Sequence, residues 1–264
     1  MSDHADTLHL ERYGRASAPG GDRLVLVHGF TQTARSWRTL ATALTAEHDV
    51  VAVDLPGHGG SAAARGDLSR SGLLVGQAGG AATYIGYSLG ARVVLHLALI
   101  RPALVTRMVL LGGTAGIDDP AERAARRASD ERLAAELERD GLDHFLERWL
   151  ANPMFAGLPA TGADLDDRRR NTVEGLAASL RLDGAGTQEP SWDRLAGLEM
   201  PVLVLAGERD AKFTALAARM AEAIGSNATV ALVPDAGHAA HLEQPEAFLA
   251  IVQPWLSRSV PARP

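Results

Sequence analysis

Apolar positions along the chain follow two alternating rhythms. Leu24-Val25-Leu26-Val27 is an unbroken apolar run ending in His28-Gly29-Phe30, and Val50-Val51-Ala52-Val53 is another, ending at Asp54-Leu55-Pro56-Gly57. Short apolar runs without alternation suit strands covered on both faces, as in a parallel sheet. Ala82 to Tyr87, Arg107 to Leu111, Pro201 to Gly207 and Thr229 to Val233 read the same way. Between the runs, apolar residues recur at helical spacing. Trp37, Leu40, Ala41 and Leu44 share one face, and further helices are expected over 68–78, 91–99, 214–224 and 245–256. Near the amino end, Leu8 to Tyr13 alternates like an edge strand or hairpin and leads into a Gly/Pro turn. The tail, 257–264, has no pattern and is expected to be disordered.

Strands alternating with helices predict an α/β fold with a mostly parallel sheet. The rhythm breaks between 115 and 189, where no strand pattern occurs and charged helices are expected over 121–140, 142–150 and 168–182. The chain therefore reads as a core of 1–114 and 190–264 with a helical insertion, 115–189. An insertion there lies between two sheet strands, in the position of a lid over the strands' carboxyl ends. No internal repeat is present.

Three strand ends carry candidate chemistry. Gly86-Tyr87-Ser88-Leu89-Gly90 matches G-x-S-x-G with a buried strand before it and an apolar helix after it. A strand-to-helix turn that sharp has no room for side chains at 86 and 90, and it lifts the Ser88 hydroxyl clear at a helix N-terminus. The expected chain order is serine, acid, histidine. Asp210 follows the strand ending at Gly207, and His238 follows the strand ending at Val233, so both fall at the sheet edge that carries Ser88. The expected relay is Ser88 to His238 to Asp210, with the acid holding the imidazole tautomer. After a third strand, His28-Gly29-Phe30 is positioned to supply an oxyanion hole from the backbone N–H groups of Phe30 and Leu89.

Two other patterns carry less. His238-x-x-His241 has a metal-like spacing, but Glu243 is the only third ligand nearby, and His241 is expected in the wall of the site or capping the following turn. Gly57-His58-Gly59-Gly60-Ser61-Ala62 fits a dinucleotide-binding string. Pro56 precedes it, no amphipathic helix opens on it, and no acid ends a strand at the required distance.

Composition narrows the remaining classes. The chain has 264 residues and no cysteine, which excludes disulfides, thiolate metal sites and cysteine catalysis. Apolar residues make up 46 %, without a run of membrane-spanning length, and the amino end has no signal-peptide core, so a cytoplasmic protein is expected. A net charge of −6 argues against nucleic acid or an anionic membrane as partner. Of the 26 basic residues, only Lys212 is a lysine. In so arginine-rich a chain, a surviving lysine marks a candidate position that arginine cannot fill. Oligomeric state is not legible.

The strand order, elbow, acid, histidine and helical insertion together resemble the α/β-hydrolase superfamily over nearly the whole chain. Within it, four strings are similar to one family, the 2-succinyl-6-hydroxy-2,4-cyclohexadiene-1-carboxylate synthases of menaquinone biosynthesis. They are Leu55 to Ser61, Gly86 to Arg92, Gly207 to Phe213 and Ala236 to His241. Ala91 departs from the second glycine that many members carry there.

The resemblance implies a lyase that keeps the triad and eliminates pyruvate from an enolpyruvyl-cyclohexene carboxylate, with Ser88 as base and no metal or organic cofactor. It also implies a polycarboxylate substrate held by Tyr87, Arg92 and Lys212 in the core, and by Arg123, Trp149 and Arg168 in the insertion. Arg126 and Arg170 are close rivals for the two insertion arginines. A net acidic protein needs a local cluster of cations to bind such a substrate, and arginine's fork suits carboxylates. Two other readings use the same residues. One is a serine hydrolase cleaving an ester, thioester or carbon–carbon bond through an acyl-enzyme. The other is a ligand receptor on a retired hydrolase scaffold, which the intact Ser88, Asp210 and His238 argue against.

Overall fold

In the computed structural model, residues 7–14, 23–158 and 162–258 are described; the expected Gly/Pro turn near the amino end and the tail beyond 258 lie outside them. Seven strands form one sheet. They are β1 (Leu10–Tyr13), β2 (Arg23–Val27), β3 (Asp49–Val53), β4 (Ala82–Tyr87), β5 (Val105–Leu111), β6 (Val202–Gly207) and β7 (Ala228–Val233), in the order β1-β3-β2-β4-β5-β6-β7. Only β1 is antiparallel, pairing Leu10 with Val53 at the edge. The unbroken apolar runs are explained by burial on both sides. In β2, Val25 and Val27 face one apolar cluster, and Leu24 and Leu26 face the other.

Helices cover both faces. α2 (Leu68–Gly79), α3 (Leu89–Ile100) and α8 (Ala211–Ile224) pack on the first, through residues such as Leu74, Val93 and Met220. α1 (Arg38–Leu44) and α10 (Pro245–Leu256) pack on the second, through Leu40, Phe248 and Val252. Arg107, a charged residue within β5, is buried because its guanidinium donates to the carbonyls of Trp255, Leu256 and Arg258, closing the carboxyl end of α10.

Among the described residues between β5 and β6 come four α-helices and no strand: α4 (Pro120–Asp140), α5 (Leu142–Leu150), α6 (Gly162–Arg168) and α7 (Val173–Asp183). Asp119 caps α4 by accepting the amides of Ala121 and Glu122, with Pro120 at the first turn. α4, α5 and α7 share a small apolar cluster of their own, including Ala134, Leu137, Phe145, Leu176 and Leu180. The helix expected over 168–182 begins only at Val173, as α7, and the sequence pattern does not predict α6 ahead of it. The chain breaks at 169–172 because Thr172 caps α7 through the Gly175 amide, and because Asn171 is drawn to the core, donating to Thr31 O and accepting from Gly59 N. A short α9 (Ala240–Glu243), absent from the sequence pattern, precedes α10. No helix among the described residues is long and apolar enough to cross a membrane.

Four histidines are held neutral inside this fold. Burial pushes His28 and His96 down to about 4, and His58 and His241 down to about 3. Their ordinary value near 6.5 applies once the chain unfolds. Between roughly pH 6.5 and 4 the unfolded state therefore binds more protons, and stability falls as pH falls. Each of these histidines should remove up to about 1.4 kcal/mol per pH unit across that window. Urea unfolding at pH 7.5, 6 and 5 should show a midpoint that drops steadily; a midpoint independent of pH would contradict neutral burial of these rings.

Candidate active site

Ser88 sits between β4 and α3 with φ 52 and ψ −107, a backbone conformation that a residue with a Cβ rarely adopts. Its amide donates to Leu111 O at 2.8 Å. The flanking glycines have no space for a side chain. A Cβ at Gly86 would lie 2.5 Å from Gly90 O, and one at Gly90 would strike the carbonyls of Val27 and His28. The serine hydroxyl lies 3.1 Å from His238 Nε2. Nδ1 of the same ring lies 2.8 Å from Asp210 Oδ2, so the tautomer that donates to Asp210 leaves Nε2 as acceptor for the Ser88 hydroxyl.

Asp210 also caps α8, its other oxygen accepting the Phe213 amide at 3.2 Å. Burial pulls this carboxyl upward, but the bonds from His238 and Phe213 outweigh it and hold it below the ordinary carboxylate range. Phe213 also packs on the His238 ring, 4.4 Å between centroids.

The His28-Gly29-Phe30 turn is held on several sides. His28 Nε2 accepts the Leu55 amide, which leaves Nδ1–H to donate to Gly29 O. Gln32 accepts the Gly29 amide through its side chain. Thr31 carries φ 66, and Gly29 is backed by the Tyr87 ring, 2.6 Å from where a Cβ would stand. Leu89 is the first residue of α3, where helix amides have no carbonyl partner within the helix. Phe30, Leu89 and Ser88 line the same cavity.

That cavity, about 870 Å³, lies between the sheet's carboxyl edge and the helical insertion. Tyr87, Arg92, Trp149 and Lys212 line it, as expected. Arg123 does not. Its guanidinium turns back to Ile117 O and pairs with Glu189, and Arg126, one helical turn on, lines the cavity instead. Arg168 does not line it either. It is 2 % exposed and bonded to Asp164 and to the Thr31 hydroxyl, so it braces the His28-Gly29-Phe30 turn from behind. Arg170 stays at the surface near Asp167.

The expected cluster of cations is also mixed with acids. Arg126 pairs with Asp130 at 2.8 Å, and Arg219 pairs with Asp118 while stacking on Trp192. Among the described residues, Arg92 and Lys212 are the lining cations without a carboxylate partner.

His241 neither faces the cavity nor caps a turn. It is buried with its ring centroid 4.4 Å from those of both Trp37 and Tyr87, and neither ring nitrogen has a hydrogen-bond partner. Glu243 has no ligating geometry either. Its two oxygens accept the amides of Gly237 (2.6 Å) and Ala239 (3.0 Å), gripping the backbone on both sides of His238.

Sequence reasoning missed that grip, and it missed Ser179 and Asp183, which line the inner end of the cavity. The signal was present: with Leu176 and Leu180 they fall on the buried face of α7, where a serine and an aspartate interrupt an apolar stripe.

The comparisons with known proteins agree with this geometry. A sequence model described as the alpha/beta hydrolase family matches residues 24–251. A 2-succinyl-6-hydroxy-2,4-cyclohexadiene-1-carboxylate synthase from Klebsiella pneumoniae is 34 % identical over 240 residues, spanning 88 % of this chain and 92 % of the relative. The synthase of the same name from Escherichia coli is 33 % identical over 258 residues, 91 % and 96 % of the two chains. The solved structure of MenH from S. aureus superposes with a TM-score of 0.86 at 28 % identity, covering 94 % of this chain and 97 % of that one.

The tight approach at Gly90 can be tested directly. Gly90→Ala forces a methyl group into the carbonyls at the end of β2 and should cost about 1–3 kcal/mol of stability, read from urea midpoints. An unchanged midpoint would mean that the elbow is looser than described.

Proposed function

The chain belongs to the α/β-hydrolase family and, within it, to the 2-succinyl-6-hydroxy-2,4-cyclohexadiene-1-carboxylate synthases, and from that premise we propose that it is a lyase of menaquinone biosynthesis. It eliminates pyruvate from 2-succinyl-5-enolpyruvyl-6-hydroxy-3-cyclohexene-1-carboxylate. The observation that carries the reading is the opening of the Ser88–His238–Asp210 relay into a cavity whose lining holds Arg92 and Lys212 without carboxylate partners. An esterase pocket has no need of a buried, unpaired arginine and a second unpaired cation at its mouth, whereas a substrate with several carboxylates does; Arg92 is buried and Lys212 exposed.

In the proposed reaction Ser88 acts as the base, its proton passing to His238 and the imidazolium being held by Asp210. It removes the proton from the ring carbon that bears the succinyl ketone. The freed electron pair forms a double bond toward the existing alkene, whose own pair shifts one carbon on and expels the enolpyruvyl oxygen. Pyruvate leaves as its enolate and takes up the proton held by His238 on returning to the keto form. Negative charge that develops on the ketone oxygen is met by the Phe30 and Leu89 amides. Arg92, one turn beyond Ser88 on α3, and Lys212, two residues past Asp210, bind carboxylates; Tyr87 and Trp149 form apolar walls. The helical insertion acts as the lid, and no metal or organic cofactor takes part.

Pyruvate release from the enolpyruvyl substrate is the direct assay. Ser88→Ala should lower kcat by about 10³-fold or more, since it removes both the base and its relay. Near-full activity in that variant would sink the assignment. Arg92→Ala should raise KM by roughly 10–100-fold with a smaller change in kcat, the loss of a charge-assisted bond. Glu243→Gln turns one acceptor of the His238 grip into a donor. It should lower kcat about tenfold at nearly constant KM, because a small misplacement of the base is costly. Ester turnover without pyruvate release would replace the lyase reading with an acyl-enzyme hydrolase.

A further inference from the structure

The inner end of the cavity holds one buried cation and one buried anion that are not bonded to each other. Arg92 on α3 is 9 % exposed, reaches Gln188 Oε1 at 3.5 Å, and forms no ion pair among the described residues. Asp183, at the end of α7, is 3 % exposed and accepts from the Ser71 hydroxyl at 3.2 and 3.4 Å. One turn earlier on α7, Ser179 lines the same cavity, 4 % exposed, with its hydroxyl buried and unpartnered.

The other charged and titratable groups around this end do not alter the balance. From α4, Arg126 and Asp130 neutralise each other at 2.8 Å. From α3, burial keeps His96 uncharged at neutral pH. Asp67 is exposed and caps α2 through the Arg70 amide. Without a ligand, above about pH 7, the positive charge of Arg92 therefore faces the negative charge of Asp183, and the pocket end is neutral.

A ligand carboxylate settling against Arg92 changes that sum. Two buried negative charges would then face a single positive one, in surroundings where like charges repel strongly. We propose that Asp183 takes up a proton from solvent when a substrate carboxylate binds beside Arg92, and that it then holds that carboxylate as an O–H donor together with the Ser179 hydroxyl. The balance is one solvent proton for one bound anion. The carboxylate keeps its charge, Arg92 keeps its own, and neutral Asp183 contributes a hydrogen bond while Ser71 goes on donating to its other oxygen. Burial already lifts Asp183 to about 7, against the opposing pull of Arg92 and Ser71, so the proton is within reach near neutral pH. This role rests on the reading of the cavity as a carboxylate site, and it makes Asp183 a specificity residue: a neutral ligand has no cause to recruit the proton.

The sign of the pH dependence follows. Below about pH 7 Asp183 is already protonated, and binding is insensitive to pH. Above it, binding must draw a proton from solvent, and affinity falls by up to about tenfold per pH unit.

The test is calorimetric titration of the whole protein with 4-oxo-4-phenylbutanoate, an unreactive ring bearing a succinyl chain, in buffers of different ionisation enthalpy. At pH 7.5 the wild type should take up roughly three-quarters of a proton per ligand, and its affinity should drop about fivefold between pH 7 and 8. Asp183→Asn, a permanently neutral donor of the same shape, should bind without proton uptake and with flat affinity. The wild-type proton count needs no variant, so it decides the matter even if Asp183→Asn fails to fold. Binding without proton uptake in the wild type, equal uptake in the variant, or no binding at pH 6 would each overturn the proposal. Proton-linked binding in a protein that releases no pyruvate would keep the subsite and remove the reaction; pyruvate release with proton-independent binding would do the reverse.

Discussion

A serine held in a left-handed conformation at the tip of a central strand is the constraint from which the remaining geometry follows. A position of that kind costs on the order of 1–3 kcal/mol and persists only where its surroundings leave no alternative. Here β4 is flanked by β2 and β5, every residue of β4 is buried, and the Ser88 amide is committed to Leu111 O. The helix that follows must begin at once, and it can do so only because Gly90 lets α3 lie against the carbonyls of Val27 and His28. The same close approach brings Leu89 and Phe30 to one end of one cavity and aims the serine hydroxyl at His238.

The loops that complete the site have no such scaffold of their own and are held by side chains from elsewhere. The His28-Gly29-Phe30 turn is gripped by Gln32 from within and by Arg168 and Asn171 from the insertion. The His238 loop is gripped by Glu243, whose carboxylate collects the amides on either side of the base. Charge-assisted bonds to backbone amides are among the stronger ones, which suits loops that must hold a ring to a fraction of an ångström. Arginines of the insertion thus divide between two tasks. Arg126 faces the cavity, whereas Arg168 stiffens the wall behind it.

Electrostatics inside the cavity follow from the overall acidity of the chain. Two of the four lining cations are answered by a nearby acid, Arg126 by Asp130 and Arg219 by Asp118. Arg92 and Lys212 form no ion pair among the described residues: Arg92 reaches Gln188, and Lys212 lies over the Phe213 ring. Which cations stay unpaired depends on which pairs fail to close, and a count of arginines in the insertion says little about it. Phe30, Trp149 and Phe155, in ring contact, supply an apolar stretch of the cavity wall.

The sequence by itself determined the sheet, the insertion and the relay, because each rests on local rules. Buried parallel strands must read as apolar runs, an elbow must have glycines at 86 and 90, and an acid and a histidine placed just past β6 and β7 can only reach the sheet edge that carries Ser88. The resemblance carried by short strings such as Gly207 to Phe213 placed Lys212 in the pocket for the same reason, since it is tied to Asp210 by two residues of chain. Tertiary structure alone decided everything that depends on how the insertion folds back. Arg123 and Arg126 lie one turn apart on α4, and only the packing of that helix against α7 shows which of them meets the cavity. The break at 169–172 hinges on Asn171 reaching Thr31 and Gly59, residues more than a hundred positions away. The roles of Glu243, Ser179 and Asp183 were equally out of reach, because a carboxylate or hydroxyl acquires its partner, and therefore its chemistry, only when distant segments meet.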